Sequence, residues 1–127
     1  VPYSPLGRGL LTGKLSSPSQ FGEDDFRTDI PMFQGQNFEV NLGIVNELEY
    51  IAAARKCTAS QIALAWLSAQ GEDIFPVPGT KRRIYLEENT RSVQVKLTAD
   101  EIEKINRVSR RVQGNRKNDS GMELVDT

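Results

Sequence analysis

The amino-acid sequence predicts either a mainly helical chain or the helical share of an α/β fold whose sheet is completed elsewhere. Three observations point there. Apolar residues recur at three or four positions in several segments, the period of one helix face. Thr58 with Gln61, and Thr98 with Glu101, form two Thr-x-x-Gln/Glu capping boxes that mark helix starts. Against these stands one short apolar run, Ile74-Phe75-Pro76-Val77-Pro78, readable as a buried strand. An α/β arrangement needs several adjacent parallel strands to satisfy each strand's edges, and the chain supplies too few of them.

The 127 residues are enough for one ordinary domain, which most often has about 100–150. Yet the first methionine is Met32, and residues 1–3 read as the end of an element already under way. The expectation is a piece of a longer protein. Sixteen basic and 17 acidic residues leave a net charge of −1, so no overall field favours nucleic acid or an anionic membrane. An anion site would have to be local. The single Cys57 has no internal disulfide partner, which fits a reducing compartment, and it reads most simply as a small apolar residue at a helix end. Without an apolar run near ~18 residues or a signal-peptide pattern, a soluble cytoplasmic protein is expected. The lack of histidine removes Ser-His, Cys-His and His-metal arrangements from this chain. Glu23, Asp24 and Asp25 sit in a glycine-containing loop and read as solvated surface.

The elements follow in order. Tyr3-Ser-Pro-Leu-Gly-Arg-Gly-Leu-Leu-Thr-Gly-Lys14 places three glycines and two cations in twelve residues. It is not a Walker A loop: Gly7 comes one residue too early, Gly9 two too late, and Leu15 rather than Ser or Thr follows Lys14. Nor is it a dinucleotide fingerprint, because Gly7-Arg8-Gly9-Leu10-Leu11-Thr12-Gly13 has one residue too many and opens into Ser16, Ser17 and Pro18. Residues 16–37 show no sustained period and read as a long loop, of a length that is usually functional or disordered. From Leu42 the spacing of Val45, Leu48, Ile51 and Ala52 predicts a helix ending near Lys56. The Thr58 capping box opens a second helix carrying Ile62, Ala65, Trp66 and Ala69 on one face, stopped by Gly71; Trp66 reads as core. After the apolar run, Gly79-Thr80-Lys81-Arg82-Arg83 leads into a helix through about Asn89. The last helix starts at the Thr98 box, with Leu97 and Ile102 as a hydrophobic staple and Ile102, Ile105 and Val108 as its apolar stripe. The tail from Gln113 reads as irregular.

Three cations at a helix start oppose the helix dipole, which favours negative charge there by about 0.3–1 kcal/mol. They therefore invite a bound anion. The competing reading is a solvated basic turn relieved by Arg83 and Glu87 at i, i+4. Gly79, which lets a ligand approach the backbone, favours a phosphate site.

Taken together, YSPLGRGLLTGK, DDFRTDIPMFQGQNF and PVPGTKRRIYLEEN resemble the aldo-keto reductase family, in the subgroup of fungal and plant NADP-dependent reductases. The ending GMELVDT is also similar to fungal members. The resemblance implies an α/β fold, the C-terminal part of a TIM-type (β/α)8 barrel, incomplete as given, with about two strands and four helices. Residues 1–5 would end strand seven and Ile74–Pro78 would form strand eight. Residues 1–127 would be the C-terminal portion of that barrel domain, with 16–37 as the cofactor-covering loop and 113–127 as an irregular tail.

The resemblance further implies NADP(H) as cofactor and a site built residue by residue. Tyr3 would stack on the nicotinamide. Ser4, Leu6, Gly7 and Gly9 would lie along the pyrophosphate with Lys14 nearby. Gly79, Thr80, Lys81 and Arg82 would hold the 2′-phosphate, and Glu88 with Asn89 would contact the adenine. Tyr85 departs from many relatives, which place a polar or basic phosphate contact there. The family's catalytic Asp, Tyr, Lys and His would lie upstream of Val1, so this chain alone would bind cofactor without reducing a carbonyl substrate. The alternatives are a non-catalytic truncated product, a nucleotide-responsive interaction module, or a helical adaptor whose basic turn is surface.

Overall fold

The computed structural model describes residues 1–123. Four 3-10 turns, Gly7–Thr12, Pro18–Gln20, Phe26–Asp29 and Pro31–Phe33, precede helix α1 (Gly35–Arg55). Helices α2 (Ala59–Ser68) and α3 (Arg83–Arg91) follow, then a 3-10 turn Ser92–Gln94, α4 (Ala99–Ser109) and a short α5 (Asp119–Met122).

The two expected strands meet at one point, a parallel bridge between Tyr3 and Val77. No longer ladder exists among the described residues, so the expectation of two strands and four helices is corrected to one bridge and five α-helices. The reason is local. Pro76 and Pro78 flank Val77 and carry no N–H, leaving Val77 as the residue of that triplet able to donate to a neighbour. Val77 remains 59% exposed and Phe75 64%, and with Leu64, Ile74, Leu86 and Val93 they line an apolar groove of about 630 Å³.

Both capping boxes form as the sequence predicts. Thr58 Oγ1 accepts from the Gln61 amide while the Gln61 side chain accepts from the Thr58 amide. Thr98 and Glu101 do the same. The first core joins Leu48, Ile51 and Ala52 of α1 to Ala59, Ile62 and Ala63 of α2 and Ile105 of α4. Trp66 lies at its edge, half-buried, and its Nε1 donates to Asn106 Oδ1 at 2.8 Å. Cys57 also packs there; burial pushes its thiol above the ordinary range, as suits a packing residue rather than a nucleophile.

Helix α1 begins seven residues earlier than the apolar stripe indicated. The stripe runs back through Phe38 and Asn41, both buried, and the polar Asn41 conceals it from a reading of hydrophobic spacing. Residues 16–37 are also not structureless. Their turns carry Ile30 and Phe33 into a second core with Leu10, Phe38 and Val45, and Phe21 meets Phe33 edge-on at 5.5 Å. Fully burying each such ring contributes roughly 1.5–3 kcal/mol, enough to order a short-period segment that propensity leaves open.

The tail is irregular from Gln113 to Asn118, as expected, and among the described residues departs from that only at α5, but it is tied down. The Gln113 amide donates to Asn41 Oδ1, Asn41 Nδ2 donates to Gln113 O, and the Met32 amide donates to Asn115 O. Gly114, at φ +80°, lets this strap lie on the Pro31–Met32 backbone, where an added Cβ would come within 2.7 Å of Pro31 C. Asn118 then caps α5 through the Gly121 amide. Of the closing segment GMELVDT, residues 124–127 lie outside the described residues.

One ion pair ties α1 to α4. Arg55 Nε and Nη2 donate to the two Glu101 carboxylate oxygens at 2.8 and 2.5 Å, and the Thr98 amide donates to Oε2. These donors, Arg55 first, hold the Glu101 carboxyl at about 2, below its ordinary 4.5. A depressed folded-state value contributes stability that is full above about pH 4.5 and lost as pH falls towards 2. Glu101→Gln is therefore expected to cost about 1–2 kcal/mol at neutral pH and to flatten the stability profile across that window. Urea melts at pH 7, 4 and 2.5 check this; parallel pH profiles for both proteins would refute it.

Candidate functional site

The two cation-bearing segments, far apart in sequence, share one cleft. Leu6, Thr12 and Lys14 line it from the first; Gly79, Thr80, Tyr85, Glu88 and Asn89 line it from the second, with Ser60 of α2 between them. Its volume is about 130 Å³.

The second segment is shaped by Thr80. The Arg82 amide donates to Thr80 Oγ1 at 3.1 Å, turning the chain into α3, whose N-cap position is Arg82. No side chain caps that helix among the described residues and its first turn has no acid, so its first amides lack a side-chain partner next to Lys81 and Arg82. Gly79 has open space where a Cβ would stand. Arg83 is spent elsewhere, its Nε donating to Glu87 at 2.7 Å on the exposed face.

One turn along α3 the character changes. Glu88 Oε1 accepts from Thr58 Oγ1 at 2.9 Å, and Glu88 O accepts from Gln61 Nε2 at 2.8 Å. The capping box of α2 thus also fixes this carboxylate, a role its sequence pattern does not disclose. Asn89 is 7% exposed, lines the cleft, and makes no side-chain hydrogen bond among the described residues. Its amide atoms reach solvent at the cleft, since no fully buried side-chain polar atom among the described residues lacks a partner, and so can offer donors and an acceptor to a ligand.

In the first segment, Ser4, Gly7, Arg8 and Gly9 all have positive φ, and the Gly7 and Gly9 amides donate to Ser4 O and Leu6 O. Those two N–H groups are satisfied inside the turn, so the glycines act by permitting its path. Arg27 holds the turn from the loop: its Nη1 donates to Arg8 O, its guanidinium lies 4.5 Å from the Phe21 ring, and Asp25 takes its other edge. Arg27 in turn holds the Asp25 carboxyl below its ordinary value. A second hollow, of about 190 Å³, is lined by Tyr3, Ser4, Gly7, Arg8, Met32 and Arg116. The Tyr3 ring is 54% exposed and carries Arg116 at 5.5 Å and Lys117 at 6.0 Å from its centre.

Of the residues expected at a cofactor, the first cleft gathers Leu6, Lys14, Gly79, Thr80, Glu88 and Asn89, and the second hollow gathers Tyr3, Ser4 and Gly7. Gly9, Lys81 and Arg82 line neither, Arg82 standing at the rim beside Tyr85. Sequence reasoning gave no role to Thr12, although it lies within the first segment, and missed Ser60 and Arg116, which bear no motif and reach the site from α2 and the tail.

A model of the aldo/keto reductase family matches residues 1–110. The chain belongs to the aldo/keto reductase family. Among its relatives, the NADP(+) aldo-keto reductase yakc of Schizosaccharomyces pombe is 51% identical over 105 residues, covering 83% of this chain and 31% of that protein. An aldo-keto reductase of Strobilurus tenacellus is 41% identical over 129 residues, covering 100% of this chain and 38% of that protein. The solved glycerol dehydrogenase of Gluconobacter oxydans superposes with a TM-score of 0.77 at 30% identity, over 89% of this chain and 34% of that one. The chain therefore spans about a third of the length of the curated aldo-keto reductases it matches. Among the described residues, no helix is long and apolar enough to cross a membrane and no cluster could hold a metal ion.

Proposed function

We propose that this chain carries the adenosine-phosphate half of an NADP(H) site, within an aldo-keto reductase that reduces aldehydes or ketones. The observation that carries the reading is the shared cleft, with Lys14 over the Tyr85 ring in the first turn of α3 while Glu88 and Asn89 lie about one and a half turns, about 8–9 Å, beyond the start of that helix. Such polarity suits a ligand with a phosphate at one end and an amine-bearing ring at the other. Lys81 and Arg82 would hold the 2′-phosphate, with Thr80 shaping their turn. Glu88, already fixed by Thr58, and Asn89 would take the adenine edge. Tyr3 would present its ring to the nicotinamide, which requires Arg116 and Lys117 to yield that face. The name of the fission-yeast relative supports NADP over NAD.

The loop over 16–37 fits a segment lying across the cofactor, since Arg27 and Phe26 already rest on the Arg8 turn. The Tyr3–Val77 bridge and the apolar groove beside it fit the last two strands of a barrel that lack further neighbours among the described residues. When bound, NADPH supplies a hydride to a carbonyl carbon. This chain's own residues bind and orient; with no histidine, they do not reproduce the family's proton-donating set.

Titration of the protein carrying this chain with NADPH, read by nucleotide fluorescence, is expected to saturate, and a panel of aldehydes and ketones is expected to oxidise the bound nucleotide. Saturation without oxidation would favour a nucleotide-responsive, non-catalytic protein. No saturation would overturn the reading.

A further inference from the structure

Tyr85 meets two cations that its place in the sequence does not bring together. Lys14 Nζ stands 3.6 Å from the centre of its ring and Arg82 Cζ 5.9 Å from it. The two cations come from segments nearly seventy residues apart, and Tyr85 is the side chain that both approach. The ring lies in the first turn of α3 and lines the cleft together with Lys14 and Thr80.

The manner of holding matters. Arg27, Arg55 and Arg83 are each paired with a carboxylate and so locally neutralised. Lys14, Lys81 and Arg82 have no such partner among the described residues. An aromatic face attracts a cation through its quadrupole without cancelling the formal charge, so the cation is positioned and still able to meet a second, dianionic group. The phenol reports the same proximity, since Lys14 first and Arg82 after it hold it below its ordinary value.

We propose that Tyr85 is a positioning residue for the phosphate end of this cleft: its ring seats Lys14 and Arg82 in their charged, unpaired form, and so sets selectivity for a ligand bearing a phosphate monoester. This rests on the nucleotide reading above and goes beyond it, because it assigns discrimination to an aromatic ring that carries no charge of its own for the phosphate.

Dissociation constants for NADPH, NADH, 2′,5′-ADP and 5′-AMP are measured by calorimetry on the protein carrying this chain, for the native sequence, Tyr85→Leu, Tyr85→Phe and Lys14→Met. Tyr85→Leu is expected to weaken NADPH and 2′,5′-ADP by about five- to tenfold and to leave NADH and 5′-AMP within about twofold. Tyr85→Phe is expected to restore the discrimination, because the ring and not the hydroxyl is the seat. In the Lys14→Met background the Leu substitution is expected to lose most of its effect, as coupled partners do. Equal weakening of phosphorylated and unphosphorylated ligands, or full additivity with Lys14→Met, would overturn the inference while leaving the nucleotide site standing. Failure of the native protein to bind any of the four would overturn both. Should Tyr85→Leu not fold, Tyr85→Gln takes its place, with the same expected loss for 2′,5′-ADP over 5′-AMP and the same overturning result.

Discussion

Asn41→Leu is expected to destabilise the protein by about 3 kcal/mol and to release the segment after Val112 from α1. Asn41 is fully buried, and its side chain makes three hydrogen bonds, to Met32 O, to Gln113 O and from the Gln113 amide. A leucine of similar size fills the space but strands all three groups. Each stranded polar group costs about 1–3 kcal/mol if it stays buried, and water reaching the loosened strap recovers part of that. The loss should be seen in urea melts, and the Gln113 amide, protected in the native protein, should exchange with solvent at near-intrinsic rates. A change below about 0.5 kcal/mol with Gln113 still protected would mean that the strap is held by other contacts. Because Arg116 and Lys117 lie on the Tyr3 ring, the same variant should also uncover that ring.

The double substitution Lys81→Ala with Arg82→Ala is expected to weaken NADPH by about 30- to 100-fold and NADH by no more than about threefold. Charge-assisted hydrogen bonds contribute about 1.5–3 kcal/mol each, and both side chains are exposed, so about 1–1.5 kcal/mol apiece is the appropriate share. Together these give the stated ratio at about 1.4 kcal/mol per tenfold. The effect should shrink as salt rises from 0.05 to about 0.5 M, because exposed charges are screened over a few ångströms there. Parallel titrations with the two nucleotides check it. Equal losses for both would remove the 2′-phosphate from this turn, and no loss would return Lys81 and Arg82 to the status of a solvated basic turn.

Much of the helical fold was legible because its signals are local. Thr58 with Gln61 and Thr98 with Glu101 place two helix starts to the residue, since a capping box is satisfied within four residues whatever surrounds it. The start of α1 was missed because its first buried positions, Phe38 and Asn41, include an amide whose burial depends on a tail seventy residues away. The loop over 16–37 failed for a related reason: short turns carry no period, and their order comes from Phe21, Ile30 and Phe33 meeting α1. Of the glycines and cations named in advance, Gly7, Lys14 and Gly79 line the two hollows, whereas Gly9, Lys81 and Arg82 do not. That Gly7 and Gly9 spend their amides within the turn, or that Glu88 is held by Thr58, could not be read in advance.

By itself, then, the sequence determined the helix starts, the two cation-bearing turns and, through three ordered segments, the family. It did so because capping, helix period and turn chemistry act over a few residues and are written where they act. The tertiary structure alone decided which cations remain unpaired, that Tyr85 receives two of them, that the tail is strapped to Asn41, and that the apolar run makes one bridge instead of a ladder. Those outcomes depend on which surfaces meet across the chain, and pairing, burial and charge neutralisation are properties of the meeting rather than of either segment.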